Sequence, residues 1–587
     1  MVIPTTCFSS SGNVGNTYQE FWGFVLTTGG FQVKDKLFIL VLDDVWTEDS
    51  NQWGPFKLAL DGGAPGLDGK IFRLWTCLRS LDLSNNYDLC ELPNEIGDLI
   101  HLRYLDLSMT SVWKLPNSLS NLCNLQTLKL NGCQFICELP ASMGNMISLR
   151  HLEIYNTERL RFLPEGIERL ASLRSLSKFI VSKGRKLGDL KGLNLIQGSI
   201  EISGLRRVKS ANEAKEVQLA SKRGIHALTL DFGLANELEN ISEVDKERME
   251  GVLEGLQPHP NLEKLKINQY PGSKLPSWMI LFSELRVLEL KYLTQCTTLL
   301  SLGRLPLLEV LRIDGMISVR RLGLDFLGIS DIEEENDDAT SSINKEKLVV
   351  FPNLIKLHIM EMSELEEWVL PFERSDDTLQ IMPRLQILDI WSSPKLKALP
   401  ALGRLESLEE LDISGLDSLQ RIGPEFFGIS EDDVTRCGSS RGGESVPIIV
   451  FPKLKTLDFS FISELEEWEM MMPSWREDVS FIMPCLKELR LGFCKKLKVV
   501  PHNIFSYQPV KERIEFCSEL NKRSRRNQII IRREVGERGD HSDDDDFTPI
   551  TPTKSLQGEL ITSFLEMSIG TSLFVQQSSR MGEPEKP

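Results

Sequence analysis

Nowhere does the chain run apolar for about 18 residues, so no segment reads as a membrane-spanning helix. Met1 to Ser11 lack both a basic stretch and an apolar stretch behind it, so no secretory leader is expected. Histidine is scarce, at 7 of 587 residues. No His-Glu-x-x-His or other ligand pair exists, and His101 and His151 fall just before or within repeat strands. The 11 cysteines are an odd, scattered set without metal-ligand spacing. Cys77, Cys123, Cys133 and Cys494 stand at repeat positions, where a buried thiol serves as a small hydrophobe. A reduced, cytoplasmic compartment is therefore expected. Positive charge is outweighed to a net −17, which argues against general affinity for nucleic acid or anionic membranes. Gly438-Ser-Ser-Arg-Gly442 spells a nucleophile elbow, but it sits in a polar stretch after Glu431-Asp-Asp433. Such an elbow needs an apolar strand before it and a helix after it. No metal site and no catalytic residue is expected, and the chain does not read as an enzyme.

What the chain does have is one phrase, Leu-x-x-Leu-x-Leu, returning at nearly fixed distance. It reads Leu78-Leu81-Leu83, Leu102-Leu105-Leu107, Leu125-Leu128-Leu130 and Leu149-Leu152-Ile154, with a partial copy at Leu173-Leu176. The first leucines stand 24, 23, 24 and 24 residues apart. That period and phrase mark a leucine-rich-repeat solenoid. Residues two apart on a strand share a face, so Leu81 and Leu83 point inward while Ser80, Asp82 and Ser84 point out. Each coil holds too little core to stand alone and buries its leucines only when the next coil stacks on it. A helix with chance leucines would show a 3.6-residue period and no regular prolines. Instead Leu92-Pro93, Leu115-Pro116, Leu139-Pro140 and Leu163-Pro164 follow each strand, ending it and starting a return segment. Asn86, Thr110, Cys133 and Thr157 follow three residues past the strand, where small polar groups can satisfy backbone in the turn.

Ahead of the repeats, Gly12-Asn13-Val14-Gly15-Asn16-Thr17 has the form of the end of a phosphate loop whose lysine has become Asn16. Leu37-Phe-Ile-Leu-Val-Leu42, followed by Asp43 and Asp44, fits a strand buried on both faces of a parallel sheet. Carboxylates just past such a strand lie where open α/β sheets bind ligands, and in phosphoryl-transfer sites the first holds Mg²⁺. A buried strand with a solvated acidic turn explains the same residues equally well. Lys34 to Trp46, with Trp53, Phe56, Leu60 and Gly62-Gly-Ala-Pro-Gly66, resembles the nucleotide-binding domain of plant intracellular immune receptors. These are the nucleotide-binding, leucine-rich-repeat disease-resistance proteins, here of the coiled-coil type. The resemblance extends through Leu187–Asn194, Gly198–Ile202, Pro258–Leu262, Tyr270-Pro-Gly272 and Leu275–Met279, covering roughly 34–66 and 71–507 in all. It implies a role in plant defence, with ADP or ATP and Mg²⁺ bound in complete members by a switch ATPase domain. It further implies a protein partner, a pathogen effector or host protein, on the repeat face.

The departures from that family are specific. Gly-x-x-x-x-Gly-Lys-Ser/Thr is absent, and so are the downstream Gly-Leu-Pro-Leu and Met-His-Asp motifs and the N-terminal coiled coil. Residues 1–66 are therefore expected to be a remnant of an α/β nucleotide-binding domain. Asp43 and Asp44 are its cofactor-binding vestige, and no cofactor is expected to bind. The Leu37–Leu42 strand is expected to lack partners, so that deleting residues 1–66 would leave the repeats as stable as before. The other reading is a competent nucleotide-dependent switch.

The repeat domain is expected to span 67–523, regular over 78–176 and irregular over 177–300. Ala211 to Lys222 has helix-forming composition, and Met249, Val252, Leu253 and Leu256 recur at helical spacing. Over 301–507 the chain repeats itself with a shift of 100 residues. Gly303-Arg-Leu305 falls on Gly403-Arg-Leu405, Phe351-Pro352 on Phe451-Pro452, and Ser363–Trp368 on Ser463–Trp468. Each block carries a polar insertion, Asp331–Lys347 and Glu431–Val446, expected to project as a loop. Ile514-Glu-Phe-Cys517 reads as a degraded last coil. Residues 524–587 are expected to be a disordered tail, whose basic run Lys522 to Arg538 is more simply a solvated linker than a targeting signal.

The fold class expected is thus α/β, a curved solenoid of parallel strands with a short N-terminal remnant. Its candidate partner-binding residues form two columns. Arg79, Arg103, Arg150 and Arg174 stand just before the inward leucines, with Gln126 interrupting. Asp82, Asp106 and Glu153 stand between them, with Lys129 interrupting. Side by side the columns are expected to pair as a mutually neutralising ladder, the alternative being a charged strip that selects a partner.

Overall fold

The computed structural model describes residues 31–33, 36–41, 77–184, 186–233, 241–329, 348–372, 379–429, 448–468, 480–500 and 510–520. Gly12–Thr17, Asp43, Asp44, both polar insertions, Gly438–Gly442 and the 524–587 tail lie outside these residues.

Each Leu-x-x-Leu-x-Leu becomes a short strand whose leucines are buried, while the residue between them is partly exposed in every regular coil but the second, where Asp106 is buried. Ser80–Asp82, Tyr104–Asp106, Thr127–Lys129 and His151–Glu153 stack in parallel with Leu81, Leu105, Leu128 and Leu152 in one register. Leu102, Leu105, Leu107, Leu125, Leu128 and Leu130 have no exposed surface. The chain then returns through short 3-10 turns, Asn94–Asp98, Asn117–Asn121 and Ala141–Asn145, each entered from a proline. Pro93 and Pro116 are at φ −71° and −67°, which the ring presets, and neither has an N–H to leave unpaired.

Between strand and return lies a repeated turn. Asn85, Met109, Gly132 and Asn156 hold left-handed φ of 61°, 59°, 73° and 54°. The next residue plugs the turn: Asn86 donates to Leu83 O at 2.7 Å, Thr110 to Leu107 O at 2.8 Å and Thr157 to Ile154 O at 2.8 Å. Cys133 takes the same place, its thiol 3.0 Å from Leu107 O. Small polar groups recur there because a buried carbonyl needs a donor in every coil.

Among the described residues the repeat strands form two large sheets, with four smaller two-stranded ones beside them. One holds 7 strands and runs from Phe31–Val33 to Ser175–Leu176; the other holds 12 and runs from Lys178–Ile180 to Lys511–Glu515. Ser177 bridges them: its N–H donates to Leu152 O at 3.2 Å and its carbonyl accepts from Glu201 N at 2.9 Å. Two α-helices sit on the return side. Glu243–Gly255 is capped by Ser242, which accepts from Asp245 N, and it buries Met249, Val252 and Leu253. The first helix spans only Ala211–Glu216, shorter than composition suggests, because Gln218 adopts φ 55° and breaks it. The two helices pack backbone to backbone at Gly255, where a Cβ would meet Ala211 O at 2.8 Å.

The 100-residue shift reappears in three dimensions. Arg321–Leu322 pairs with Glu367–Trp368, and Arg421–Ile422 with Glu467–Trp468. Leu348–Val350 pairs with Leu379–Ile381, and Ile448–Val450 with Ser480–Ile482. One-turn helices Leu324–Leu327 and Pro424–Phe427 end on left-handed Gly328 and Gly428.

One expectation is overturned. The Lys36–Val41 strand has neighbours on both sides, Phe31–Val33 in a hairpin and Ser80–Asp82, the first repeat strand. Both pairings are antiparallel, so the run is not a strand of a parallel nucleotide-binding sheet here. A strand needs its backbone groups paired, and the open edge of the first coil supplies them.

Candidate functional site

In every coil one residue lies between two inward apolar ones and faces solvent from the sheet. Strand stacking turns these residues into a column with neighbours about 4.8 Å apart. In the first sheet the column runs Asp82, Asp106, Lys129, Glu153, each opposite the next in register. Its charges are held locally. Asp82 and Asp106 accept from Ser84 N and Ser108 N, both at 2.9 Å, fixing each carboxylate over its own turn. Tyr104 donates to Asp106 at 2.8 Å, and burial followed by that carboxylate pushes its phenol above the usual range. Lys129 lies 3.8 Å from Glu153 and 5.7 Å over the Tyr104 ring.

The arginines stack as a second column through the backbone. Arg103 N donates to Arg79 O, Gln126 N to Arg103 O, Arg150 N to Gln126 O and Arg174 N to Arg150 O. The expected pairing between columns is not what forms: Arg103, Arg150 and Arg174 are exposed and make no ion pair with the acidic column. Arg103 lies just outside the Tyr104–Asp106 strand, and Arg103 N and Tyr104 N both donate to Arg79 O, so simple alternation does not carry through this position. The Arg103, Arg150 and Arg174 side chains are exposed, whereas Asp106 is only 8% exposed.

The same column continues in the second sheet with residues not picked out in sequence. Lys266, Glu289 and Arg312 lie opposite one another in order. Next come His358, Asp389, Asp412 and Asp458, in register across four strands. His358 Nδ1 is 2.6 Å from Asp389 Oδ2, and Arg490 Nη1 is 4.0 Å from Asp458 Oδ2. Asp412 stands between two carboxylates. Burial first, then Asp458 and Asp389, push its carboxyl up to about 7. Asp458 is also raised, chiefly by burial. The sequence signal was available: Leu357-His-Ile359, Leu388-Asp-Ile390, Leu411-Asp-Ile413 and Leu457-Asp-Phe459 repeat the slot of Leu81-Asp-Leu83.

One further row borders this column. Phe461, Phe493 and Phe516 occupy the left-handed turn place at φ 54°, 57° and 56°. Their rings stack at 4.5 Å centroid to centroid in both steps. Phe461 is 46% and Phe516 57% exposed. Among the described residues no group of three His, Cys, Asp or Glu could hold a metal ion. No helix among them is long and apolar enough to cross a membrane.

Comparison with known proteins gives two family models. One, described as R13L1/DRL21 LRRs, matches residues 187–316, and the other, Leucine Rich Repeat, matches 77–99 and 124–146. Disease resistance protein RGA2 of Solanum bulbocastanum is 36% identical over 294 residues, 49% of this chain and 28% of that protein. RPP13-like protein 1 of Arabidopsis thaliana, named as a disease resistance protein, is 32% identical over 444 residues, 74% of this chain and 40% of that one. RGA1 of Solanum bulbocastanum, named likewise, is 34% identical over 374 residues, 61% of this chain and 35% of that one. The chain thus spans well under half the length of these relatives. A solved leucine-rich-repeat protein of Leptospira interrogans aligns at TM-score 0.36 and 21% identity, over 62% of this chain and 87% of that one.

Proposed function

From a chain that belongs to the plant disease-resistance family of leucine-rich-repeat proteins, we propose that the solvent face of the sheet binds a protein partner in innate immunity. The partner class is a pathogen effector or a host protein. One observation carries this reading: a single column changes from mixed charge to three adjacent carboxylates while the leucines beside it stay fixed. A column free to vary on an invariant core is a means of selecting partners. Asp389, Asp412 and Asp458 suit a basic segment, whose cation would offset the burial and the neighbouring carboxylates that raise Asp412 to about 7. Arg79, Arg103, Arg150 and Arg174, with Asp82, Asp106, Lys129 and Glu153, are the corresponding proposal at the other end.

The test is co-purification from plant tissue with the full chain, comparing wild type with Asp389→Ser, Asp412→Ser and Asp458→Ser combined. A partner lost from the variant, released by salt from wild type, and binding with proton release near pH 7 supports the reading. Equal recovery by a folded variant removes it.

We further propose that residues 1–66 are a remnant without nucleotide-binding function. The antiparallel setting of Lys36–Val41 supports this, because nucleotide sites of that family form at the carboxyl ends of parallel strands. A micromolar affinity for ADP or ATP in calorimetry, abolished by Asp43→Ala, would overturn it.

A further inference from the structure

The turn-plugging place filled by Asn86 and Thr110 in early coils holds cysteine in both of the last two, Cys494 and Cys517. Neither has exposed surface. The strands before them are in register, Gly492 opposite Glu515, and Phe493 N donates to Glu515 O at 2.9 Å. The thiols therefore stack as equivalents, beneath the stacked rings of Phe493 and Phe516. Cys494 Sγ lies 3.6 Å from Phe459 O, and Cys517 Sγ lies 3.6 Å from Leu491 O, the same contact one coil later. Each thiol is also close enough to its neighbour in the stack to shift its titration.

We propose that Cys494 and Cys517 form an oxidation site, which a hydroperoxide converts to a disulfide joining the last coil to the one before it. In-register neighbours on adjacent strands have Cα atoms about 4.8 Å apart, inside the range of about 4.4–6.8 Å that a disulfide spans. The chemistry is asymmetric. The neighbouring Cys494 thiol draws that of Cys517 down to about 7, and Cys494 is raised in turn. The Cys517 thiolate attacks the peroxide, breaking the O–O bond and giving a sulfenic acid and water. Cys494 then attacks that sulfur, expels a second water and closes the S–S bond. Two thiols are oxidised and one hydrogen peroxide is reduced to two waters.

Position makes the pair distinctive. Cys133 occupies the same place in the first sheet but has Thr110 Oγ1 at 3.5 Å rather than a second sulfur. Cys77, Cys90, Cys123, Cys137 and Cys485 are exposed and have no thiol partner among the described residues. Lys511–Glu515 is the end strand of its sheet, so local opening there gives a small neutral oxidant its path to buried sulfur.

The test uses the full chain, reduced and then titrated with hydrogen peroxide near neutral pH. Peptide mass spectrometry should find Cys494 and Cys517 joined with the loss of two hydrogens. Amides of 511–517 should exchange at least about tenfold more slowly, reversibly on reduction. In Cys494→Ser the link vanishes and Cys517 is trapped as a sulfenic acid. Cys485→Ser, which leaves the pair intact, should link as wild type does. The proposal is overturned if both remain thiols while exposed cysteines oxidise, if the link joins Cys485 instead, or if both sulfurs are over-oxidised unlinked.

Discussion

Arg404 donates through Nε to the backbone carbonyl of Gly428 at 2.7 Å, fastening the end of a one-turn helix to the coil before it. Arg304 makes the same bond to Gly328 at 3.1 Å one block earlier. The glycine beside each arginine makes room for this. A Cβ at Gly403 would meet Phe427 O at 2.5 Å, and one at Gly303 would meet Leu327 O at 2.3 Å. Gly-Arg-Leu is thus a packing device in which glycine admits the helix backbone and arginine satisfies its last carbonyl.

Gly403→Ala should therefore destabilise the second block by roughly 2–4 kcal/mol, since the obstacle is backbone and cannot rotate away. Gly184→Ala meets nothing within 4 Å and should change stability by less than about 0.5 kcal/mol. Urea titration of both variants checks the contrast. Equal effects would show that the close approach does not constrain the block.

Asp412 gives a pH dependence whose sign is fixed. Its folded pKa, about 7, lies above the unfolded carboxylate value, so between the two the folded chain binds more protons and stability falls as pH rises. The penalty is complete above about pH 7 and absent below about pH 4. Burial imposes it first and Asp458 and Asp389 add to it, while the Trp391 side chain and the charge of Arg490 offset part of it. Asp412→Asn should raise the melting temperature at pH 8 relative to wild type and lose that advantage toward pH 4. The stabilisation is on the order of 1 kcal/mol, because a partly exposed group is screened. A difference independent of pH would place the repulsion elsewhere.

What could be read in the sequence was whatever repeats. Leu-x-x-Leu-x-Leu gave strand, face and register because a side-chain period of two leaves one arrangement that buries Leu81, Leu105 and Leu128 together. Leu-Pro gave the return turn, and Asn86, Thr110 and Thr157 gave its plug. Relations between distant segments were not legible. Nothing in Lys36–Val41 announces that it will pair with Ser80–Asp82, since an apolar run is compatible with either strand direction. Nor does adjacency in sequence reveal that Arg103 and Asp106 part company. That separation follows from the break in alternation at Arg103, whose N–H shares the Arg79 carbonyl with that of Tyr104. The strands carrying His358, Asp389, Asp412 and Asp458 follow the repeated phrase at spacings of 31, 23 and 46 residues, but that their charges meet depends on register across the polar insertions, which the phrase alone does not fix.

Pairing of Lys36–Val41 with the first repeat strand reverses the expected effect of removing residues 1–66. Deletion strips the hydrogen-bonding partner from Ser80–Asp82 and opens the sheet edge. Amide exchange at 80–82 should rise sharply, with a loss of roughly 1–3 kcal/mol in the first coils and a greater tendency to aggregate. Unchanged exchange at these amides in the deleted chain would mean that the strand does not cap the array in solution.

The last prediction separates surface charge from stability. Arg103 and Arg150 are exposed, and their guanidinium groups contribute no ion pair to the acidic column. A neutralising ladder would weaken on charge reversal by up to about 1 kcal/mol per pair. Without that ladder, Arg103→Glu with Arg150→Glu should shift stability by less than about 0.5 kcal/mol, as distant surface changes do. Their backbone bonds, Arg103 N to Arg79 O and Arg150 N to Gln126 O, are untouched by the change. The double variant therefore tests recognition without disturbing the scaffold. Intact unfolding with lost, salt-sensitive partner binding supports a recognition strip that includes the arginine side. A fall in melting temperature would restore the ladder, and retained binding would confine recognition to the carboxylate column.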